Sequence, residues 1–257
     1  MYYNKSLLEA AGAEPPKTWD DVRAVAEKVK ATGAYGYGLQ GKEIETDAYF
    51  YYSLWTHGGD ILNADGTSGL DSPAAIESAT LYKKMIDEGL TQPSPTNYNR
   101  EDVFNLFKQG KVGTIFTFPM LVPQIKEEAP NLRYQILPFP EAGAKATYGV
   151  TDTLMMFADS DAKEAAWKFI KFAAGPFGAS VVVPGTGYVP NNELAAQSPD
   201  YLGNFYKENP LFRAGLEQMP LMQPWYAFPG SNGVKVTQTI VENLSRVVEQ
   251  SAEPKEA

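Results

Sequence analysis

Two stretches of this chain combine flat aromatic faces with planar polar side chains, the combination that holds a polyhydroxylated small molecule. Aromatic rings stack on apolar CH surfaces, while carboxylates and amides bind hydroxyls in pairs. The first stretch carries Asp47, Tyr49, Tyr51 and Tyr52. In a helix, Asp47 and Tyr51 share a face and Tyr52 lies near Tyr49, a spacing that serves either a ligand face or amphipathic packing. The second carries Trp225 and Tyr226 directly after Pro224, with Asn232 nearby. A tryptophan in a proline-bounded loop is placed to expose its ring. Asp152 follows Gly149, where a carboxylate beside a glycine turn either takes two hydroxyl hydrogens or closes the turn. Tyr188, within Thr186-Gly187-Tyr188-Val189-Pro190, serves equally as cleft lining or as packing. Trp55, just before Gly58-Gly59, reads as core.

Other chemistries find little support. The 257 residues include no cysteine, which removes thiol catalysis, disulfides and thiolate metal sites together. It suits an oxidising compartment without demanding one. His57 is the single histidine, so neither a histidine-rich metal site nor a standard serine triad is supported elsewhere. Gly36-Tyr37-Gly38-Leu39-Gln40-Gly41 fits GxGxxG, but its glycines fall in and after a strand instead of between a strand and a helix. Asn63-Ala64-Asp65-Gly66 has Ile61 and Ser72 where a calcium loop needs its end ligands, so it reads as a turn. No cofactor and no metal are expected. The net charge of −9 argues against nucleic acid or an anionic membrane as partner. No apolar run reaches membrane-spanning length, so no membrane insertion is expected, and no export signal is expected in the first residues.

The elements that must position these residues alternate between helix and strand, an α/β pattern. Residues 2–5 are extended, residues 6–11 form a short helical turn closed at Gly12, and Pro15-Pro16 stiffens the link that follows. Thr18 with Asp21 forms a capping box for a helix whose apolar face is Val22, Val25, Ala26 and Val29. Strands are expected at 35–39 and 112–117, and a helix at 47–55. Ser72-Pro73 starts a helix, as does Asn99 with Asp102. Residues 138–147 are linker-like, and 148–157 read as strand and loop. Ser160 caps a helix whose apolar side holds Ala166, Phe169, Ile170 and Ala173, and Gly175-Pro176 ends it. Residues 181–190 are expected to be extended, and the last helix runs through Ile240, Leu244 and Val248.

The opening YYNK, followed by Leu7, Ala11-Gly12 and Pro15-Pro16-Lys17-Thr18-Trp19-Asp20-Asp21, resembles a segment of extracellular solute-binding proteins of ABC importers. The carbohydrate-binding group that includes maltose-binding protein is the nearest in pattern. Trp55 to Asp60 with Asp65-Gly66, Gly110-Lys111-Val112-Gly113, residues 163–173 and 186–190 are similar to further family segments in the same order. Phe118-Pro119-Met120 stands where many sugar binders have Gly-Pro-Trp, which puts a maltodextrin-type subsite in doubt.

The resemblance implies a two-lobe, type II periplasmic-binding-protein architecture, with the second lobe nearly complete and the first largely missing. Residues 2–137 and 191–257 would form the second lobe, 148–188 a fragment of the first, and 138–147 and 189–191 the crossings. It implies a chain truncated at both ends. It also implies capture of a sugar or related polyol in an inter-lobe cleft, delivery to membrane permease subunits, and a periplasmic or cell-surface location for the full-length protein. The ligand-binding set expected is Asp47, Tyr49, Tyr51, Asp152, Tyr188, Trp225, Tyr226 and Asn232, with no catalytic residue. Two alternatives stay open: a glycosidase-like enzyme, which would need two facing carboxyls, or the same fold with a polyamine, peptide or glycerophosphodiester ligand. Self-association is expected of this chain if the apolar face around Phe169 and Ile170 is uncovered.

Overall fold

A computed structural model of the chain describes residues 1–42 and 46–257. In chain order its elements are β1 (Tyr2–Asn4), α1 (Lys5–Ala10), α2 (Trp19–Lys30), β2 (Tyr35–Gly38), α3 (Thr46–Thr56), α4 (Pro73–Asp87), α5 (Arg100–Lys108) and β3 (Val112–Ile115). There follow α6 (Leu121–Glu128), β4 (Tyr134–Ile136), β5 (Thr147–Gly149), α7 (Lys163–Ala173), α8 (Pro176–Thr186), α9 (Glu193–Gln197), α10 (Gly203–Glu208), α11 (Pro210–Gln218), β6 (Met222–Pro224) and α12 (Gly233–Val248). Local signals set many of the boundaries. Thr18 Oγ1 accepts from the Asp21 N–H at 3.1 Å while the Asp21 carboxylate accepts from the Thr18 N–H at 2.9 Å, the capping box expected. Asn99 and Asp102 repeat it at α5, and Ser72 caps α4 ahead of Pro73.

The chain divides into two compact units. The larger comprises Met1–Thr117, Asn131–Gly149 and Pro220–Ala257. Its main sheet has the order β2-β3-β1-β4, with β2 parallel to β3 and β1 antiparallel to both β3 and β4. The registers Tyr37↔Thr114 and Gly38↔Ile115 fix the parallel pair. The glycines of the GxGxxG run serve packing: a Cβ on Gly36 would lie 2.3 Å from Ala26 Cα, so only glycine lets α2 approach β2. Trp19, Val22, Tyr37, Tyr52, Tyr82 and Phe116 meet in one core cluster. A second sheet pairs β5 with β6 in parallel.

The smaller unit comprises Phe118–Pro130 and Val150–Met219. Its breaks differ from those read in the sequence, where 118–130 and 191–219 went with the larger body. Here α6 packs against α8, and a Cβ on Gly187 would sit 2.5 Å from the Pro119 carbonyl, so these segments cluster together. Two expectations are corrected. Residues 181–186 continue helix α8 instead of extending, because Pro176 at its first turn starts a helix that the Val181-Val182-Val183 run continues; Gly187, at φ 74°, ends it. Ser160 does not cap α7: its hydroxyl accepts from the Ala162 N–H at 3.2 Å, and Ala162 occupies the cap position.

Candidate functional site

The α3 residues expected to face ligand are buried. Asp47 and Tyr49 lie within the larger unit, and Tyr51 is only 1% exposed. Tyr49 meets Tyr52 edge to face at 5.6 Å, the neighbour pair foreseen from spacing. Burial, and then the Asp47 carboxylate one turn away, push the Tyr51 phenol well above its ordinary pKa, so it stays protonated across the physiological range. An aromatic-rich helix does not reveal which of its faces meets solvent, and here every side is covered. Trp55 is core, as expected; its ring stacks on Tyr148 at 5.9 Å and its indole N–H donates to Asp60 Oδ1 at 3.2 Å.

The Trp225 stretch behaves differently. The β5–β6 pairing sets Gly149 beside Pro224, and the Trp225 N–H donates to the Gly149 carbonyl at 2.9 Å, so the backbone is held by the ladder. The indole remains 44% exposed. Gly149 has no alternative: a Cβ there would fall 1.9 Å from Met222 Sδ. Tyr226 packs edge to face on Phe228 at 5.0 Å, and both rest on the cluster of Phe50, Tyr51, Trp55 and Ala79. Buried aromatics thus support a partly exposed aromatic surface from below. Asn232 is exposed at the start of α12, where its side chain makes no capping hydrogen bond.

The other two expected residues belong to the smaller unit. Asp152 is exposed in a stretch without regular structure. Tyr188 is exposed too, its N–H donating to Thr186 Oγ1 at 3.1 Å. It lines a groove of about 300 Å³ with Met120, Gln124 and Glu127 of the α6 side. Among the described residues no group of three or more histidines, cysteines or acids gathers for a metal ion. His57 stacks on Trp19 at 6.4 Å, and its Nδ1 lies 2.8 Å from the Ser53 carbonyl, a structural placement at the end of α3.

A model of the bacterial extracellular solute-binding protein family matches residues 1–179. The chain belongs to that family. This solute-binding chain is 54% identical over 209 residues to a binding protein of Brucella abortus, a match taking in 79% of this chain and 51% of the relative. It is 26% identical over 231 residues to the sn-glycerol-3-phosphate-binding periplasmic protein UgpB of Agrobacterium fabrum, covering 85% of this chain and 52% of that one. It thus spans about half the length of the curated relatives it matches. Among solved structures, maltose-bound MalE3 of T. maritima superposes with a TM-score of 0.83 at 24% identity, over 99% of this chain and 66% of that one. The fold is therefore the α/β type II periplasmic-binding-protein architecture expected from the sequence. The family consists of transport binding proteins. Among the described residues no helix is long and apolar enough to cross a membrane.

Proposed function

We propose that this chain is the ligand-capturing part of an ABC importer's binding protein, that it binds a sugar or related polyol without catalysis, and that it works outside the cytoplasmic membrane with permease subunits. The observation that carries this reading is the Trp225 surface. A half-exposed indole stands on a backbone held by the β5–β6 ladder, next in sequence to Tyr226, which with Phe228 rests on the cluster that holds Trp55. A preorganised aromatic face loses little entropy when a sugar ring stacks on it. Asn232 supplies a planar amide for hydroxyls on the same segment. In this reading Tyr51, in the cluster on which Tyr226 and Phe228 rest, supports that surface from beneath.

The maltose-bound and glycerol-3-phosphate-binding relatives define the ligands to try first. A binder of the native state raises the melting temperature by mass action. Melting with millimolar maltose, maltotriose, sn-glycerol-3-phosphate and spermidine is expected to show a rise with a sugar or polyol. A rise with spermidine alone would replace the polyol assignment.

A further inference from the structure

In and beside the main sheet Thr114 and Gln92 are satisfied, while Gln40 and Thr117, past the carboxyl end of its parallel pair, each keep a buried polar atom with no hydrogen-bond partner among the described residues. Thr114 Oγ1 donates to the Gly36 carbonyl at 3.0 Å. Gln92 brackets Leu39, accepting from its N–H at 3.1 Å and donating to its carbonyl. One residue beyond Leu39, Gln40 is 2% exposed and its amide nitrogen has no hydrogen-bond partner among the described residues. One residue beyond Phe116, Thr117 is 6% exposed and its hydroxyl likewise has no hydrogen-bond partner among the described residues. Nearby backbone groups do not share this state, since the N–H groups of Gly41 and Lys42 both donate to the Tyr98 carbonyl.

The register of the parallel pair, carried two residues past its last bridge, brings the two orphans to neighbouring positions. The parallel register runs Tyr37↔Thr114 and Gly38↔Ile115; the next residues, Leu39 and Phe116, lie in one core cluster, and Gln40 and Thr117 follow. Adjacent strands lie about 4.8 Å apart, within reach of one atom bridging two side chains. Both residues stand at the carboxyl end of the parallel pair, the side of an open α/β sheet where ligands bind. An unsatisfied buried polar group is destabilising, and its persistence at such an edge marks a site whose partner arrives from outside.

We propose that Gln40 and Thr117 form a polar subsite for one hydroxyl of the ligand. The Gln40 amide nitrogen donates to the hydroxyl oxygen, and Thr117 Oγ1 accepts the hydroxyl hydrogen. One donor beside one hydroxyl matches a group that both accepts and donates, which is a sugar or polyol hydroxyl. The subsite rests on the solute-binding reading above and adds to the Trp225 surface a point that reads polarity.

The test compares the chain with Thr117→Val, Gln40→Met and Thr117→Ser. Unliganded, the valine and methionine variants are expected to melt about 2–4 °C higher, because each removes an unsatisfied buried group at nearly constant shape. Titrated with whichever of maltose, maltotriose or sn-glycerol-3-phosphate the parent binds, both are expected to weaken about 3- to 10-fold, while Thr117→Ser stays within about 2-fold. Lower melting temperatures in both apolar variants would show that the groups are already paired and would overturn the subsite. Unchanged affinity in both would overturn it while leaving the solute-binding reading intact. A parent that binds none of the three would overturn that reading, and the subsite with it.

Discussion

Helices α2 and α7 carry the same kind of apolar stripe and meet opposite fates. In α2, Val22, Val25, Ala26 and Val29 are all buried against the sheet of the larger unit. In α7 no residue is buried, and Trp167, Phe169 and Phe172 stand more than half exposed, with Phe177 of α8 beside them. Amphipathic spacing therefore states that a helix has a face to bury, and says nothing about whether a partner for that face lies within the same chain. The two units differ in what a substitution should do, and four experiments exploit this.

The largest effect belongs to the packed core. Phe116 touches Trp19 at 5.0 Å, Tyr37 at 5.4 Å and Phe139 at 5.3 Å, and Phe116→Ala is expected to cost about 3–5 kcal/mol in urea unfolding. A loss under about 1 kcal/mol would show that the larger unit is loosely packed and erase the contrast.

Thr18→Ala comes next, at about 1 kcal/mol, through loss of the α2 cap. Its partner Asp21 adds a pH signature. The Lys17 and Thr18 N–H groups hold the Asp21 carboxyl below its ordinary 3.8, so its contribution is present above that pH and is lost as pH falls through the depressed value. The melting difference between parent and Asp21→Asn should accordingly shrink in strong acid; a difference that grows there would contradict the assignment.

Trp225→Ala sharpens the comparison inside the larger unit. With its ring half exposed, the variant should lose less than about 1 kcal/mol of stability, far below a core truncation, yet bind sugar more weakly in calorimetry. A core-sized stability loss would move Trp225 out of the site.

The smallest effect on stability is expected at Phe169→Ser, within about 0.5 kcal/mol, because the ring buries little. Sedimentation velocity supplies the second measurement: removing the ring should reduce self-association of the chain. A monomeric parent, or a stability loss of several kcal/mol, would show that the α7 face is covered.

How much of this was legible beforehand follows from the range of each signal. Caps act within three residues, so Thr18 with Asp21 and Asn99 with Asp102 could be read directly, as could the Gly12 and Gly33 stops. The run Val181-Val182-Val183 fits strand and helix alike, and only the helix opened by Pro176 decides it. The pairing of β1 with β4, residues more than a hundred apart, leaves no local trace. The exposure of Trp225 is legible because prolines beside an indole predict an exposed ring. Asp47, Tyr49 and Tyr51 are expected at a ligand face, yet composition alone cannot orient a helix whose described side chains are buried on every side, Asp47, Ser53 and Thr56 included. Gln40 and Thr117 passed unnoticed since an unmet hydrogen bond belongs to the fold and has no sequence signature.

The central place of β1 has a consequence for how the chain is made. Tyr2 pairs with Ile115 on one side and Ile136 on the other, so β1 leaves the ribosome well before the partners that flank it. At roughly 5–20 residues per second, about 7–27 seconds separate the synthesis of residue 2 from that of residue 136. During that interval Tyr2 and Tyr3 present an unpaired strand to every other nascent chain and chaperone nearby, and helices α1 to α5 can form without the strand that will join β3 to β4.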